Sequence, residues 1–354
     1  MKRFNAYVFI VVMVFSLTGT AFSQKGIFFL EVGNRKMMDS RYQEAITNFD
    51  KAIELNAEFT EAYFNRGCAY LELGFHGYAI QDFSKSIELD PTDAAAYINR
   101  GNVYYEMFDY KNAIADFSKG LELQPDDVDA IYDRGLCYEG LKQYDAALND
   151  FKYVLKLNPD YSSAYSGISD VYAETKQLDL AITNITKSIS LNPGDAESYF
   201  KRAGYNKESK KYGATLQDFN DAIKYDPENP VSYIGRAEMY NEQGLFAKAL
   251  EDLDYALGLN PELANAYCER GISYFNLKQY DKALVDLNHY MELNAKNPVA
   301  YKYRGLVYFN TGNYQDAVND LKKAIYLNPT YGFELTEKIN TATEKIQLAA
   351  ASKK

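Results

Sequence analysis

Few residue types in this 354-residue chain could do chemistry. There are two histidines, His76 and His289, and three cysteines, Cys68, Cys137 and Cys268. Against them stand 49 acidic and 38 basic side chains, for a net charge of −11. No cysteine pair has zinc spacing, no glycine-rich phosphate loop occurs and no nucleophile elbow is visible. So acidic a chain repels phosphate backbones, and nucleic acid is not an expected partner. No metal or cofactor is expected. Carboxylate pairs are abundant, and a hydrolase working with two of them is the remote enzymatic alternative. They recur at a fixed interval, however. That makes them pattern rather than catalytic pair, and the chain reads as non-enzymatic.

The interval is 34 residues. Nine blocks run without insertion or deletion: 26–59, 60–93, 94–127, 128–161, 162–195, 196–229, 230–263, 264–297 and 298–331. A period of this length means a solenoid, in which each unit covers the apolar face of its neighbour. Numbering each block from 1 to 34 lets the nine copies be compared. Block 3 predicts a helix A from Ala96 to about Phe108, a tight turn, and a helix B from about Tyr110 to Leu123. Pro125 stops the unit, and Asp127 is placed to cap the next helix.

Position 8 is small in every copy, and position 20 is Ala in eight. Tyr fills position 4 in seven copies, position 11 in seven and position 17 in six, as a rigid filler with a polar tip. Pro holds position 32 in seven. The cysteines fall in repeats 2, 4 and 8, too far apart along a stack for disulfides. The histidines, in repeats 2 and 8, cannot meet either.

Two recurring charges need a partner. Position 7 is Arg in seven copies: Arg66, Arg100, Arg134, Arg202, Arg236, Arg270 and Arg304. It lies near the middle of helix A's inward stripe, where an unpaired charge is costly. Position 23 is Asp in the same seven: Asp82, Asp116, Asp150, Asp218, Asp252, Asp286 and Asp320. The exceptions coincide, with Val32 and Asn48 in repeat 1 and Ile168 and Asn184 in repeat 5. Covariation of this kind predicts a structural Arg–Asp ion pair inside each of seven repeats.

The period, the small residues at positions 8, 20 and 27, the aromatics at 4, 11, 17 and 24, and Pro at 32 resemble the tetratricopeptide repeat family. The resemblance implies an all-α fold: a right-handed superhelical α-solenoid of nine helix-turn-helix repeats. Its A helices would form a concave groove that binds proteins or peptides. The departures are local, among them Ile168 and Leu178 in repeat 5, Asn206 in repeat 6 and bulky Tyr290 in repeat 8. Residues 332–354 are expected to add a capping helix, with Leu335, Ile339, Ala342 and Ile346 facing the last repeat and Glu337, Lys338, Glu344 and Lys345 outward.

On that resemblance, positions 2, 5, 6, 9, 12 and 13 of helix A line the groove, with no core duty. They hold fourteen carboxylates and three lysines, Lys201, Lys207 and Lys302. The expected partner-binding residues are Phe64, Glu72, Ile98, Tyr105, Glu106, Tyr132, Glu174, Phe200, Glu208, Glu242, Phe275 and Phe309. Aromatic anchors among carboxylates suit a basic or amphipathic segment; a solvated acidic face is the plainer reading. Repeat 6 adds a local basic patch of Lys201, Arg202, Lys207, Lys210 and Lys211.

The N-terminus reads as a secretory signal peptide, residues 1–23. Lys2 and Arg3 precede an apolar run from Tyr7 to Leu17, and Ala21 and Ser23 offer small residues before a cut at Ser23–Gln24. An uncleaved N-terminal anchor is the alternative. Loss of Lys2 and Arg3 would take the net charge from −11 to −13. No membrane span is expected after cleavage, and the location would be periplasmic or secreted. The apolar helix A of repeat 1, with Phe28, Phe29, Leu30, Met37 and Met38, could support self-association. The expected function is an exported, non-enzymatic interaction scaffold serving envelope or secretion complex assembly. A chaperone-like holder of unfolded or basic segments is the alternative.

Overall fold

A computed structural model describes residues 21–351 of the chain. Residues 1–20 of the expected signal peptide and 352–354 of the expected capping helix lie outside the described residues. Among the described residues, every regular element is helical.

The chain divides into two compact units, the first ending at Gly167 and the second starting at Ile168. The first holds α1 (Ala21–Met38), α2 (Tyr42–Leu55), α3 (Thr60–Glu72), α4 (His76–Leu89), α5 (Ala94–Glu106), α6 (Tyr110–Leu123), α7 (Val128–Gly140) and α8 (Tyr144–Leu157). The boundary falls inside α9 (Ser162–Glu174). The second holds α10 (Leu178–Leu191), α11 (Ala196–Glu208), α12 (Tyr212–Tyr225), α13 (Pro230–Glu242), α14 (Phe246–Leu259), α15 (Ala264–Asn276), α16 (Tyr280–Leu293), α17 (Pro298–Asn310) and α18 (Tyr314–Leu327). A 3-10 turn, Pro329–Tyr331, leads into α19 (Gly332–Ala351). Odd-numbered helices up to α17 are A helices; even-numbered ones are B helices.

Local chemistry fixes several of the helix ends. Helix α5 starts at Ala94, two residues before the expected Ala96, because Asp93 accepts a hydrogen bond from the Ala95 amide at 2.9 Å. Asp127 caps the next helix as expected, accepting from Ala130 N at 3.0 Å. Helix α5 ends at Glu106, short of the expected Phe108, because position 15 of the repeat is left-handed. In all nine repeats that residue has positive φ: Gly74, Gly244 and Gly312, but also Ser40, Phe108, Lys142, Lys176, Lys210 and Lys278 at 56° to 62°. Phe108 N donates to Tyr105 O and Asp109 N to Tyr104 O, both at 2.9 Å. This is the Schellman closure, which satisfies the last carbonyls of the helix.

The core of each repeat forms where helix B presses a large residue onto position 8 of helix A. A Cβ added to Gly101 would lie 3.0 Å from Phe117 Cε1. Phe49, Phe83, Phe117 and Phe151 are completely buried in this role. In α19, Leu335, Ile339 and Ala342 are buried and Ile346 packs beside them, as the spacing predicts. Lys338 departs from expectation: its Nζ lies 5.5 Å from the Phe309 ring centroid rather than pointing outward. At the other end only Leu30 of the expected apolar set is buried; Phe29 and Met37 pack beside it, while Phe28 and Met38 are exposed.

All seven Arg–Asp pairs form within their repeats. Arg Nε and Nη2 donate to the carboxylate at 2.6–3.1 Å. The Arg side chains are 19–22% exposed and the Asp side chains 4–11%, so the pairs are largely dry. In repeats 1 and 5, Asn48 and Asn184 turn back onto their own helix, donating to Glu44 O at 2.7 Å and Leu180 O at 2.8 Å.

The third guanidinium nitrogen does something the sequence analysis did not anticipate. Each Nη1 crosses to position 25 of the preceding repeat. The acceptors are Asp50, Ser84, Ser118, Thr186, Asn220, Asp254 and Asn288, at 2.6–3.2 Å. One side chain thus joins helix A to its own helix B and to the preceding one. Tyrosines at positions 4 and 11 complete the packing, as with Tyr63 and Tyr70 at 5.5 and 6.0 Å from the Arg66 guanidinium carbon.

Candidate functional site

The expected partner-binding residues sit on the A helices, at three depths. Those at position 5 reach inward. Phe64 meets Phe83 at 5.7 Å between ring centroids, Tyr132 meets Phe151 at 5.6 Å and Phe200 meets Phe219 at 5.9 Å. Ile98 covers Gly120, where an added Cβ would lie 2.6 Å from Ile98 Cγ1. Position 12 leans on the start of helix B. Tyr105 meets Tyr110 at 5.9 Å, Phe275 meets Tyr280 at 6.1 Å and Phe309 meets Tyr314 at 5.9 Å. These residues are half-buried. The expectation that they have no core duty is therefore wrong: one edge of each packs into the repeat, and the other remains on the A-helix face.

Position 13 stands outermost. Glu106, Glu174, Glu208 and Glu242 are exposed, and Glu72 is half-buried. Glu106 lies 3.1 Å from His76 Nε2, and Glu208 accepts from Lys176 at 3.0 Å.

Four of the five residues of the basic patch expected in repeat 6 are paired with carboxylates, and Lys210 stands exposed beside them. Lys201 donates to Asp170 at 2.7 Å, Lys207 pairs with Glu238, and Lys211 reaches Asp179 at 3.1 Å. Arg202 holds Asp218. Burial pulls the Lys201 pKa down, but Asp170 outweighs it and the net shift is upward. Lys302 likewise donates to Glu334 at 2.7 Å, with Nζ over the rings of Tyr331 and Tyr303 at 4.9 and 5.6 Å. All three lysines of this face belong to the second unit, and each is matched there by a carboxylate.

The first unit has no lysine on its A-helix face. Among the described residues, two carboxylates are shifted strongly. Burial, then the charges of Asp129 and Asp127, pushes Asp133 up to about 7. Burial also pushes Glu269 to about 7, against a hydrogen bond from Asn241 at 3.0 Å. Asp129 accepts from the Tyr161 hydroxyl at 2.7 Å, and the Tyr161 ring lies 5.3 Å from Tyr132. The thiols of Cys68, Cys137 and Cys268 are free, and burial raises each to about 12, which leaves them unreactive. No helix among the described residues is long and apolar enough to cross a membrane.

Comparison with known proteins gives a consistent result. Models described as tetratricopeptide repeat match residues 94–127, 128–161 and 298–331, residues 209–264 and 235–290, and residues 162–195. One described as TPR repeat matches 33–74 and 77–107. No curated protein matches the chain at a significant level. Among solved structures, a tetratricopeptide repeat protein from Parabacteroides merdae is 20% identical, with a TM-score of 0.54, over 70% of this chain and 98% of that one. The APC/C hetero-tetramer Cut9-Hcn1 aligns at a TM-score of 0.57 and 14% identity, over 90% of this chain and 76% of that one. At these identities the likeness is one of fold.

Proposed function

We propose, on the premise that this chain belongs to the tetratricopeptide repeat family, that it is an interaction scaffold whose A-helix face holds an extended or helical segment of a protein partner. The observation that carries this reading is the pairing of half-buried rings with carboxylates that are exposed or, at Glu72, half-buried. Phe64, Ile98, Tyr105 and Tyr132 are held rigidly by helix B, so binding orders few side chains. Glu72 and Glu106 beside them favour a basic or amphipathic segment and its rapid encounter. Phe200, Phe275 and Phe309, with Glu174, Glu208 and Glu242, repeat the arrangement in the second unit. Export rests on the N-terminal pattern of the sequence, and a role in assembling an envelope or secretion complex rests on analogy with the family.

The test is capture of partners on the immobilised chain, with and without the paired change Glu72→Lys and Glu106→Lys. One stoichiometric partner lost on charge reversal supports the scaffold. A broad set of weak partners supports a holder of unfolded segments instead. A partner retained at full strength rules out this face.

A further inference from the structure

Adjacent A helices exchange polar contacts at one recurring slot, between position 9 of one repeat and position 6 of the next. Asn65 donates to Asn34 there at 2.8 Å. Lys201 donates to Asp170 in the same slot at 2.7 Å, and the Tyr205 hydroxyl donates to the other oxygen at 2.5 Å. Between repeats 7 and 8 the slot holds two acids, Glu238 and Glu269. Lys207 relieves the first and Asn241 the second. An acid in this slot is therefore answered from within the chain.

Asp133 breaks the rule. It fills position 6 of repeat 4, with Asn102 at position 9 of repeat 3. Among the described residues, no hydrogen bond or ion pair reaches its carboxylate. The charges that act on it are the acids Asp129 and Asp127, and they act against its ionisation. The phenols of Tyr105 and Tyr132 lie within electrostatic reach of it. A carboxylate kept in such a place without a cation is costly. Elsewhere on the same face, the chain shows what suits these surroundings. Lys201 lies on a slot acid, and Lys302 lies between a carboxylate and two tyrosine rings.

We infer that the slot at Asp133 is a subsite for a lysine side chain of the protein partner, with the ammonium on the Asp133 carboxylate and the stem along Tyr105 and Tyr132. The ligand's ammonium takes the place that Lys201 Nζ holds at Asp170. This rests on the proposed use of the A-helix face and gives that face a specific contact. Tyr105 and Tyr132 supply ring faces for the cation.

The experiment measures a fluorescein-labelled hexalysine peptide binding to the full chain at low salt, by anisotropy. Three variants each remove one negative charge or add one positive charge: Asp133→Asn, Asn102→Lys and Asp170→Asn. The first two should weaken binding about tenfold, the worth of one charge-assisted contact. Asn102→Lys should also raise the melting temperature, because it answers Asp133 from within. Asp170→Asn should change affinity less than about twofold, since Lys201 already occupies that acid. Asp133→Asn removes a carboxylate that has no partner, and a retained melting temperature shows that it folds. Equal weakening by all three overturns the subsite, because the peptide then senses net charge alone. No binding of hexalysine, or no effect of Asp133→Asn, also overturns it. The wider use of the face fails separately, if reversal of Glu72 and Glu106 leaves the captured partner bound.

Discussion

Arg100 closes on Asp116 with two hydrogen bonds, Nε at 2.7 Å and Nη2 at 2.8 Å, and spends its third nitrogen on Ser84 at 2.9 Å. Asp116 belongs to the helix B of the same repeat and Ser84 to the one before. The same three-way tie recurs at every position-7 arginine. It explains why a costly charge is kept where an apolar side chain would fit. The charge sets helix A between two B helices, and so sets the spacing of the A-helix face that a partner would meet.

The pair should behave as a unit. Arg100→Met alone leaves Asp116 buried and unpaired, and should cost about 2–4 kcal/mol in denaturant unfolding. Adding Asp116→Asn copies the neutral state of repeats 1 and 5 and should recover much of that loss. Additive losses in the double-mutant cycle would contradict the pairing.

The crossing bond to position 25 makes its own prediction. Asp254→Lys sets an ammonium against Arg270 Nη1, now 2.7 Å from the carboxylate, and should cost about 1 kcal/mol. Lys322→Asp should be nearly neutral, because no position-7 arginine follows it. The comparison is read by the shift in denaturation midpoint.

The left-handed turn stores strain where it is not glycine. Lys142 is exposed, with φ of 58°. Lys142→Gly should raise stability by about 0.5–1 kcal/mol. Gly74→Ala, at φ of 74°, should lower it by about 1 kcal/mol. Thermal melts of both variants check the sign.

Stability should also depend on pH with an unusual sign for carboxylates. Asp133 and Glu269 each sit near 7 in the folded chain, raised from 3.8 and 4.5. The folded state therefore binds more protons than the unfolded state between those values. Their stabilising effect is fully present below about pH 4 and is lost as pH rises through about 7. Asp133→Asn should flatten the fall in melting temperature between about pH 4 and pH 7, with its gain largest at and above pH 7.

Much of this was legible in the sequence, because the chain repeats itself. The Arg–Asp pairing followed from two coincident exceptions, Ile168 with Asn184 and Val32 with Asn48. The crossing bond was written just as plainly and was missed. Position 25 is Asp, Ser, Thr or Asn wherever an arginine follows in the next repeat. It is Lys, at Lys152 and Lys322, where none does. Comparison of neighbouring repeats, rather than of positions within one repeat, would have found it. The same omission made repeat 6 look basic: Lys201, Lys207 and Lys211 are answered 31 or 32 residues away in sequence. Helical phase placed Phe64 and Tyr105 on the A-helix face, but phase gives an angle and not a depth. It could not show that both rings also serve the core. Three glycines at position 15 marked the left-handed turn, and the six non-glycine residues, four of them lysine, obscured it.

The claim that the A-helix face holds the partner is tested most directly by hydrogen–deuterium exchange on the chain with and without its captured partner. The account predicts added protection along A helices, strongest at α5 and α7 around Tyr105, Tyr132 and Asp133, with B helices unchanged. Protection confined to B helices such as α6 and α8, or to the chain termini, would contradict it.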